Sequence, residues 1–232
     1  MPSAWSSPSA PTGTAPCRCG SGPPCRPGAE NRALAQRNEL VIASGNPHKV
    51  KEITTMLDAV ELTVIGQPDG LDIEETGHSY AENARLKAET VARLTGRWTL
   101  ADDSGLAVDA LGGAPGLFSA RYAASDRERI ARLLKELGDS PYRTAAFHSA
   151  LALADPGGHT VLEAEGTSQG EILLQPVEVA GSHGYNSVFH VRGAGCTLAE
   201  MSDHQLLRFS SRARAARAMA PKLLALLGIG AP

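Results

Sequence analysis

The sequence predicts a mixed α/β fold with two lobes and a cleft between them. Three observations carry this expectation. Leu40-Val41-Ile42-Ala43 is a continuous apolar run of strand length, and Ser44-Gly45-Asn46-Pro47-His48-Lys49 turns it directly into a helix, as a strand covered on both faces does in a layered α/β protein. Trp98-Thr99-Leu100-Ala101 reads as the end of a second buried strand. Thr144–Leu153, His159–Gly166 and Gly170–Leu174 are consecutive strand-like runs. Short turns at Asp155-Pro156-Gly157-Gly158 and Ser168-Gln169-Gly170 join them, which suggests an antiparallel meander.

Composition narrows the function classes. A chain of 232 residues buries one good core or two small ones. The net charge of −3 lacks the basic surface that a nonspecific nucleic-acid footprint needs, so no nucleic-acid partner is expected. No apolar run approaches bilayer length, so no membrane partner is expected either. The first residues lack the pattern of a secretory signal. With only four cysteines, a reducing cytoplasm is the simplest compartment.

Residues 1–38 are rich in Pro, Ser, Gly and Ala without hydrophobic periodicity, and are expected to be a disordered tail. Cys17, Cys19 and Cys25 within it do not have zinc-knuckle spacing or a nearby histidine, so no metal is assigned to them. The folded domain is expected over residues 39–232. In its first helix Asn46 suits the N-cap and Pro47 the first helical position, with Val50, Ile53 and Leu57 on the buried face. Free N–H groups at such an end favour an anion, and Lys49 adds a point charge. Val60–Ile65 reads as a strand and Gln67-Pro68-Asp69-Gly70 as a turn. An acidic stretch, Asp72-Ile73-Glu74-Glu75-Thr76-Gly77, follows. Ser79-x-x-Glu82 forms a capping box for a helix to about Leu94, which gives Glu82 a structural task; Asn83 and Lys87 share one face of that helix.

The stretch Ala101-Asp102-Asp103-Ser104-Gly105-Leu106 is read as two carboxylates, a hydroxyl and a flexible glycine where a strand gives way to a loop, with Gly112, Gly113, Pro115 and Gly116 beyond it. Hard cations such as Mg²⁺ take oxygen ligands of this kind and share them with substrate phosphates. Asp126–Leu137 is an amphipathic helix, and Gly181–Phe189 a glycine-bearing loop entering a short strand. The chain closes with a helix over about Ser210–Leu227 that Pro221 is expected to kink or divide. Cys196 is expected in the core.

Taken in order, Ser44-x-Asn46-x-x-Lys49, Glu74-Glu75-Thr76-Gly77, Glu82-Asn83-Ala84-x-x-Lys87-Ala88, Ala101-Asp102-Asp103-Ser104-Gly105-Leu106, Leu111-Gly112-Gly113-x-Pro115-Gly116 and Ser119-Ala120-Arg121-Tyr122 resemble the inosine/xanthosine triphosphate pyrophosphatases over roughly residues 39–227. The resemblance implies an elongated two-lobed mixed-sheet fold with a central cleft, a homodimer, and Mg²⁺-dependent hydrolysis of a noncanonical purine nucleoside triphosphate to the monophosphate and pyrophosphate. It implies Ser44, Asn46, Lys49 and Ser104 on the triphosphate; the charge of a triphosphate makes Lys87 a candidate second positive contact, the alternative being a surface lysine. It implies Glu74 and Asp103 on Mg²⁺, Asp103 as base for the attacking water, and Lys49 as a catalytic cation.

The second half departs from the family pattern in one functional region. Where the family reads Gly-Gly-Phe-Gly-Tyr-Asp-Pro to hold the base, this chain has Gly181-Ser182-His183-Gly184-Tyr185-Asn186-Ser187. Where it has Glu-Glu-Lys and then Ser-His-Arg, this chain has His204-Gln205-Leu206 and Ser210-Ser211-Arg212. The base-binding set implied here is therefore His183, Gly184, Tyr185, Asn186, Leu206, Ser211 and Arg212. Lysine and histidine donors suit a 6-oxo purine, so their loss points to altered base specificity. The alternatives are a catalytically weak nucleotide-binding paralogue and a phosphohydrolase of a specialised pathway.

Overall fold

A computed structural model describes residues 39–57 and 62–227. The tail over residues 1–38, with its three cysteines, and the C-terminal residues 228–232 lie outside the described residues. One mixed sheet of seven strands runs through the domain: β1 (Glu39–Ala43), β2 (Thr63–Gly66), β3 (Trp98–Val108), β4 (Thr144–Ala154), β5 (Thr160–Ile172), β6 (Phe189–Val191) and β7 (Cys196–Thr197). Their order is β2-β1-β3-β4-β5-β6-β7, parallel at β2-β1-β3 and antiparallel thereafter. Five helices accompany them among the described residues: α1 (Pro47–Leu57), α2 (Tyr80–Thr95), α3 (Asp126–Leu137), α4 (Asp203–Phe209) and α5 (Ser211–Leu227).

The expected continuous apolar strand is β1, and its alternation serves two cores at once. Leu40 and Ile42 face α1 and α5, meeting Ile53, Leu57, Ala215 and Met219, while Val41 and Ala43 face α2. The α2 face is alanine-rich, with Ala84, Ala88, Ala92, Ala101, Ala150 and Ala152 all buried, so the helix lies close to the sheet. A separate core gathers the far ends of β3 and β4, Leu106, Val108 and Ala145, with Leu133 and Leu137 of α3 and Tyr185, Val188 and Phe189. Long strands thus pass from one lobe into the other, and the cleft opens between them.

Four expectations are corrected. β3 does not end at Ala101: Asp102 to Val108 continue the ladder, paired with Leu151 back to Ala145 of β4. Cross-strand pairing overrides the turn-like local sequence. Gly105 serves close approach, since a Cβ there would lie 2.3 Å from the Gly116 carbonyl oxygen and 2.7 Å from the Tyr80 hydroxyl. Likewise β5 runs unbroken through Ser168-Gln169-Gly170, and at Gly170 a Cβ would lie 2.3 Å from the His190 carbonyl oxygen. Pro221 lies inside α5 without dividing it. Glu82 makes only part of the capping box: Ser79 Oγ accepts its N–H at 3.2 Å, but its carboxylate accepts the N–H of His78, at 2.7 Å. The short helix α4, opened by a Ser202–Gln205 capping box, was not anticipated. Val60, at the head of the expected second strand, lies outside the described residues. Cys196 is half-buried against the α3-side core.

Gly105→Ala is expected to destabilise the fold by about 1–3 kcal/mol, as overpacking does in a rigid interior. Because a backbone carbonyl meets the new methyl group, a neighbouring side chain cannot relieve it by changing rotamer. A urea midpoint matching the wild type would contradict this.

Candidate active site

Asp102 and Asp103 are consecutive in a strand, so their side chains leave opposite faces of the sheet. This alternation divides the polar centre into two connected halves. On the α1/α5 face, Asp102 is fully buried. Lys49 Nζ lies 2.9 Å from its Oδ2, and Arg212 places Nε 3.0 Å from Oδ1 and Nη2 3.2 Å from Oδ2. Arg212 Nη2 also donates to Ser104 Oγ at 3.0 Å, and its Nη1 pairs with Glu52. Ser210 Oγ donates to the other Glu52 oxygen at 2.9 Å. Burial disfavours a charged Asp102, but Arg212 and Lys49 outweigh it and hold the carboxyl well below the usual range. The same contacts raise Arg212 against the cost of its own burial.

On the α2 face, Asp103 Oδ1 lies 3.0 Å from Lys87 Nζ, and its Oδ2 accepts the Asn83 amide at 3.1 Å. Lys87 bridges to Glu75 Oε1 at 2.8 Å, and Arg121 approaches Glu75 Oε2 at 3.3 Å. Asn83 and Lys87 stand one helical turn apart on α2, so the expected shared face is the face over Asp103. Asn83 also accepts the N–H of Gly77 at 2.8 Å, tying the acidic loop down. Burial, with Glu75 adding like charge, pushes Asp103 above the ordinary carboxylate range despite Lys87. Burial acts the same way on Glu75, but Lys87 and then Arg121 bring it below its ordinary value.

Glu75, not Glu74, is therefore the carboxylate beside Asp103. Exposure alternates along Asp72–His78, turning Ile73, Glu75 and Gly77 inward and Glu74 out to solvent. The helix start behaves as expected: Asn46 Oδ1 accepts the His48 N–H at 2.9 Å, and Ser44 Oγ accepts the Asn46 N–H at 3.2 Å. Ser44, Asn46, Lys49, Glu75 and Lys87 line one cavity of about 230 Å³. A second cavity, of about 200 Å³, shares Asn46, Lys49 and Ala120 with it and extends past Ser104 to His183, Gly184, Tyr185, Asn186, Leu206, Ser211 and Arg212. Every residue expected to contact phosphate or base thus borders one of two joined cavities.

Not all of those groups are free. Tyr185 is buried and its hydroxyl donates to the Ser119 carbonyl at 3.0 Å; burial raises that phenol above its ordinary range. Gly184 donates its N–H to Asp126 Oδ2 at 2.6 Å. These two residues fix the loop, while His183 and Asn186 turn into the cleft. The Ser211 hydroxyl is paired with that of Ser149 at 2.8 Å, and Arg212 is spent on carboxylates. Glu52, Asp126 and Ser149 were missed by sequence reasoning, and Asn83, though grouped with Lys87, was given no role. Only Glu52 left a local signal, one turn after Lys49 on α1.

Mg²⁺ takes hard oxygen donors, usually one or two carboxylates completed by phosphate and water. Among the described residues no three His, Cys, Asp or Glu side chains converge as a metal cluster. Asp103 and Glu75 do converge on one cationic centre, the Lys87 ammonium, and fit that two-carboxylate pattern. No described helix is long and apolar enough to cross a membrane.

A protein-family model described as the Ham1 family matches residues 40–222. The dITP/XTP pyrophosphatase of Synechococcus sp. (strain CC9311) is 50% identical over 188 residues, 81% of this chain and 91% of that protein. The dITP/XTP pyrophosphatase of a Nostoc species is 44% identical over 192 residues, 83% and 97% of the two chains. Among solved structures, a HAM1 protein from Coxiella burnetii superposes with a TM-score of 0.72 at 37% identity, covering 81% of this chain and 98% of that one. The Ham1 protein of Staphylococcus aureus gives 0.71 at 36% identity, covering 81% and 99%.

Proposed function

This chain belongs to the Ham1 family and is a nucleoside triphosphate pyrophosphatase, and from that premise we propose that it hydrolyses purine nucleoside triphosphates between the α- and β-phosphates in a Mg²⁺-dependent reaction. The observation that carries the reading is the Lys87 ammonium held between Asp103, the carboxylate raised by burial, and Glu75, beside a cavity that Glu75 and Lys87 line together with Lys49. A triphosphate carries about four negative charges, and charge moves toward pyrophosphate as it leaves. Lys49 and Lys87 stand where they neutralise that charge, and Ser44 and Asn46 present a helix N-terminus to the phosphates. Asp103 accepts the proton of the attacking water, a task helped by a carboxyl that burial holds above its ordinary range. Asn83 fixes the orientation of its carboxylate. Asp103 and Glu75 would hold Mg²⁺, which supplies charge neutralisation at the phosphate oxygens and lowers the pKa of bound water.

The base is read in the second cavity by groups unlike those of the family pattern. His183 offers a ring face, Asn186 a donor and an acceptor, and Leu206 and the Ser149–Ser211 pair close the floor without the usual lysine and histidine. Base preference is therefore shifted from the dITP and XTP that name the relatives. A panel of ordinary and deaminated triphosphates tests this. Selective turnover of another base supports the shift; a strong preference for dITP and XTP removes the shift and leaves the pyrophosphatase reading standing. The protein acts as a homodimer in the cytoplasm, the first of which sedimentation velocity checks directly.

A further inference from the structure

We propose that His48 and His183, which stack on each other across the cleft, are the two jaws of an aromatic clamp that parts to receive the flat nucleobase between its rings. The proposal rests on the pyrophosphatase reading and adds to it a residue, His48, and an opening motion.

The two rings come from opposite sides of the cleft. His48 belongs to the first turn of α1, and His183 to the loop between Gly181 and Ser187 that the Gly184–Asp126 hydrogen bond anchors to α3. Their centroids are 3.9 Å apart and their planes differ by 9°. Both line the same cavity as Asn186 and Leu206. Burial first, then His48, holds His183 below the ordinary histidine range, which favours the uncharged ring.

Two stacked imidazoles share little ring area with one another. A purine presents more area to each ring than the imidazoles present to one another. Exchange of one ring–ring contact for two ring–base contacts is therefore favourable, at the expense of parting the jaws by about one further stacking distance. His48 is exposed, so its side chain has room to turn aside. The edge groups also fit. Asn186 Nδ2 lies 3.5 Å from His183 Nε2, at the rim of the stack where the hydrogen-bonding edge of a base would emerge. Lys49 follows His48 directly, so one helical turn would hold both ends of a nucleotide.

The test uses the full chain with ¹³C-labelled histidine, titrated with a nonhydrolysable purine triphosphate analogue. Signals are assigned with His48→Ala and His183→Ala. The clamp predicts that both imidazole C–H signals move through ring-current effects as the analogue saturates the site. In kinetics, His48→Ala raises KM for the purine substrate about tenfold, the loss falling in KM rather than kcat, and His48→Phe recovers it. Ribose 5′-triphosphate, which lacks a base, separates stacking from phosphate binding: its KM does not respond to the ring at position 48. If the analogue binds and only the His183 signal moves, or if His48→Ala changes both KM values alike, the clamp is overturned and the pyrophosphatase reading survives. If the analogue does not bind and no pyrophosphate is released, both fall together.

Discussion

Asp103→Asn lowers the rate of pyrophosphate release by about 10²- to 10⁴-fold, the usual contribution of a positioned general base. The amide keeps the shape of the carboxylate and its place beside Asn83 and Lys87, but it accepts no proton from water. Nucleotide binding without Mg²⁺, read by calorimetry with a nonhydrolysable analogue, survives within about a few-fold, because Lys49, Ser44 and Asn46 lie outside the substitution. The contrast between lost turnover and kept binding separates a base from a structural carboxylate. A variant that loses both in step would place Asp103 in folding or substrate capture instead.

The second large effect lies on the opposite face of the sheet. Arg212→Met is expected to cost about 3–5 kcal/mol of folding stability, the range found when one partner of a buried ion pair is removed. Asp102 has no exposed side-chain surface, and Arg212, itself only 12% exposed, supplies two of its three cationic contacts. The sign of the pH dependence follows from the direction of the shift. Asp102 is held below its ordinary value in the folded state, so its contribution is present above the unfolded pKa and is lost as pH falls through the folded one. Arg212→Met raises the folded pKa toward the unfolded value and moves acid unfolding to higher pH. Chemical denaturation at neutral pH and an acid titration check the two parts. A variant as stable as the wild type would show that Lys49 alone compensates Asp102.

Much of this was legible in the sequence because it is written in local periodicity. The run Leu40–Ala43 was recognisable as a strand buried on both faces, Asn46-Pro47 as its helix start, and Asp126–Leu137 as an amphipathic helix. The errors share a physical cause. Glycines at 105 and 170 carry no local mark that separates a turn from a place where another chain segment passes closely, so two long strands were cut short. That mistake hid the fact that Asp102 and Asp103 diverge to opposite faces, which only a continuous strand imposes. The choice of Glu74 over Glu75 was correctable from the sequence: Ile73 faces inward, and in an extended segment so does the residue two positions on. Asn83 and Lys87 were paired correctly by helical spacing, but their target on β3 depended on packing between elements. Glu52, Ser149 and Asp126 depended on it wholly, since their partners are far away in the chain.

Cleavage at the α-phosphate by a carboxylate-held metal centre is the central step of the proposed function. Its most direct test is product analysis of a purine nucleoside triphosphate incubated with the full chain, once with Mg²⁺ and once with EDTA. Monophosphate and pyrophosphate in equal amounts with Mg²⁺, and neither with EDTA, is the predicted result. Release of inorganic phosphate with a nucleoside diphosphate, or pyrophosphate at an undiminished rate in EDTA, would contradict it.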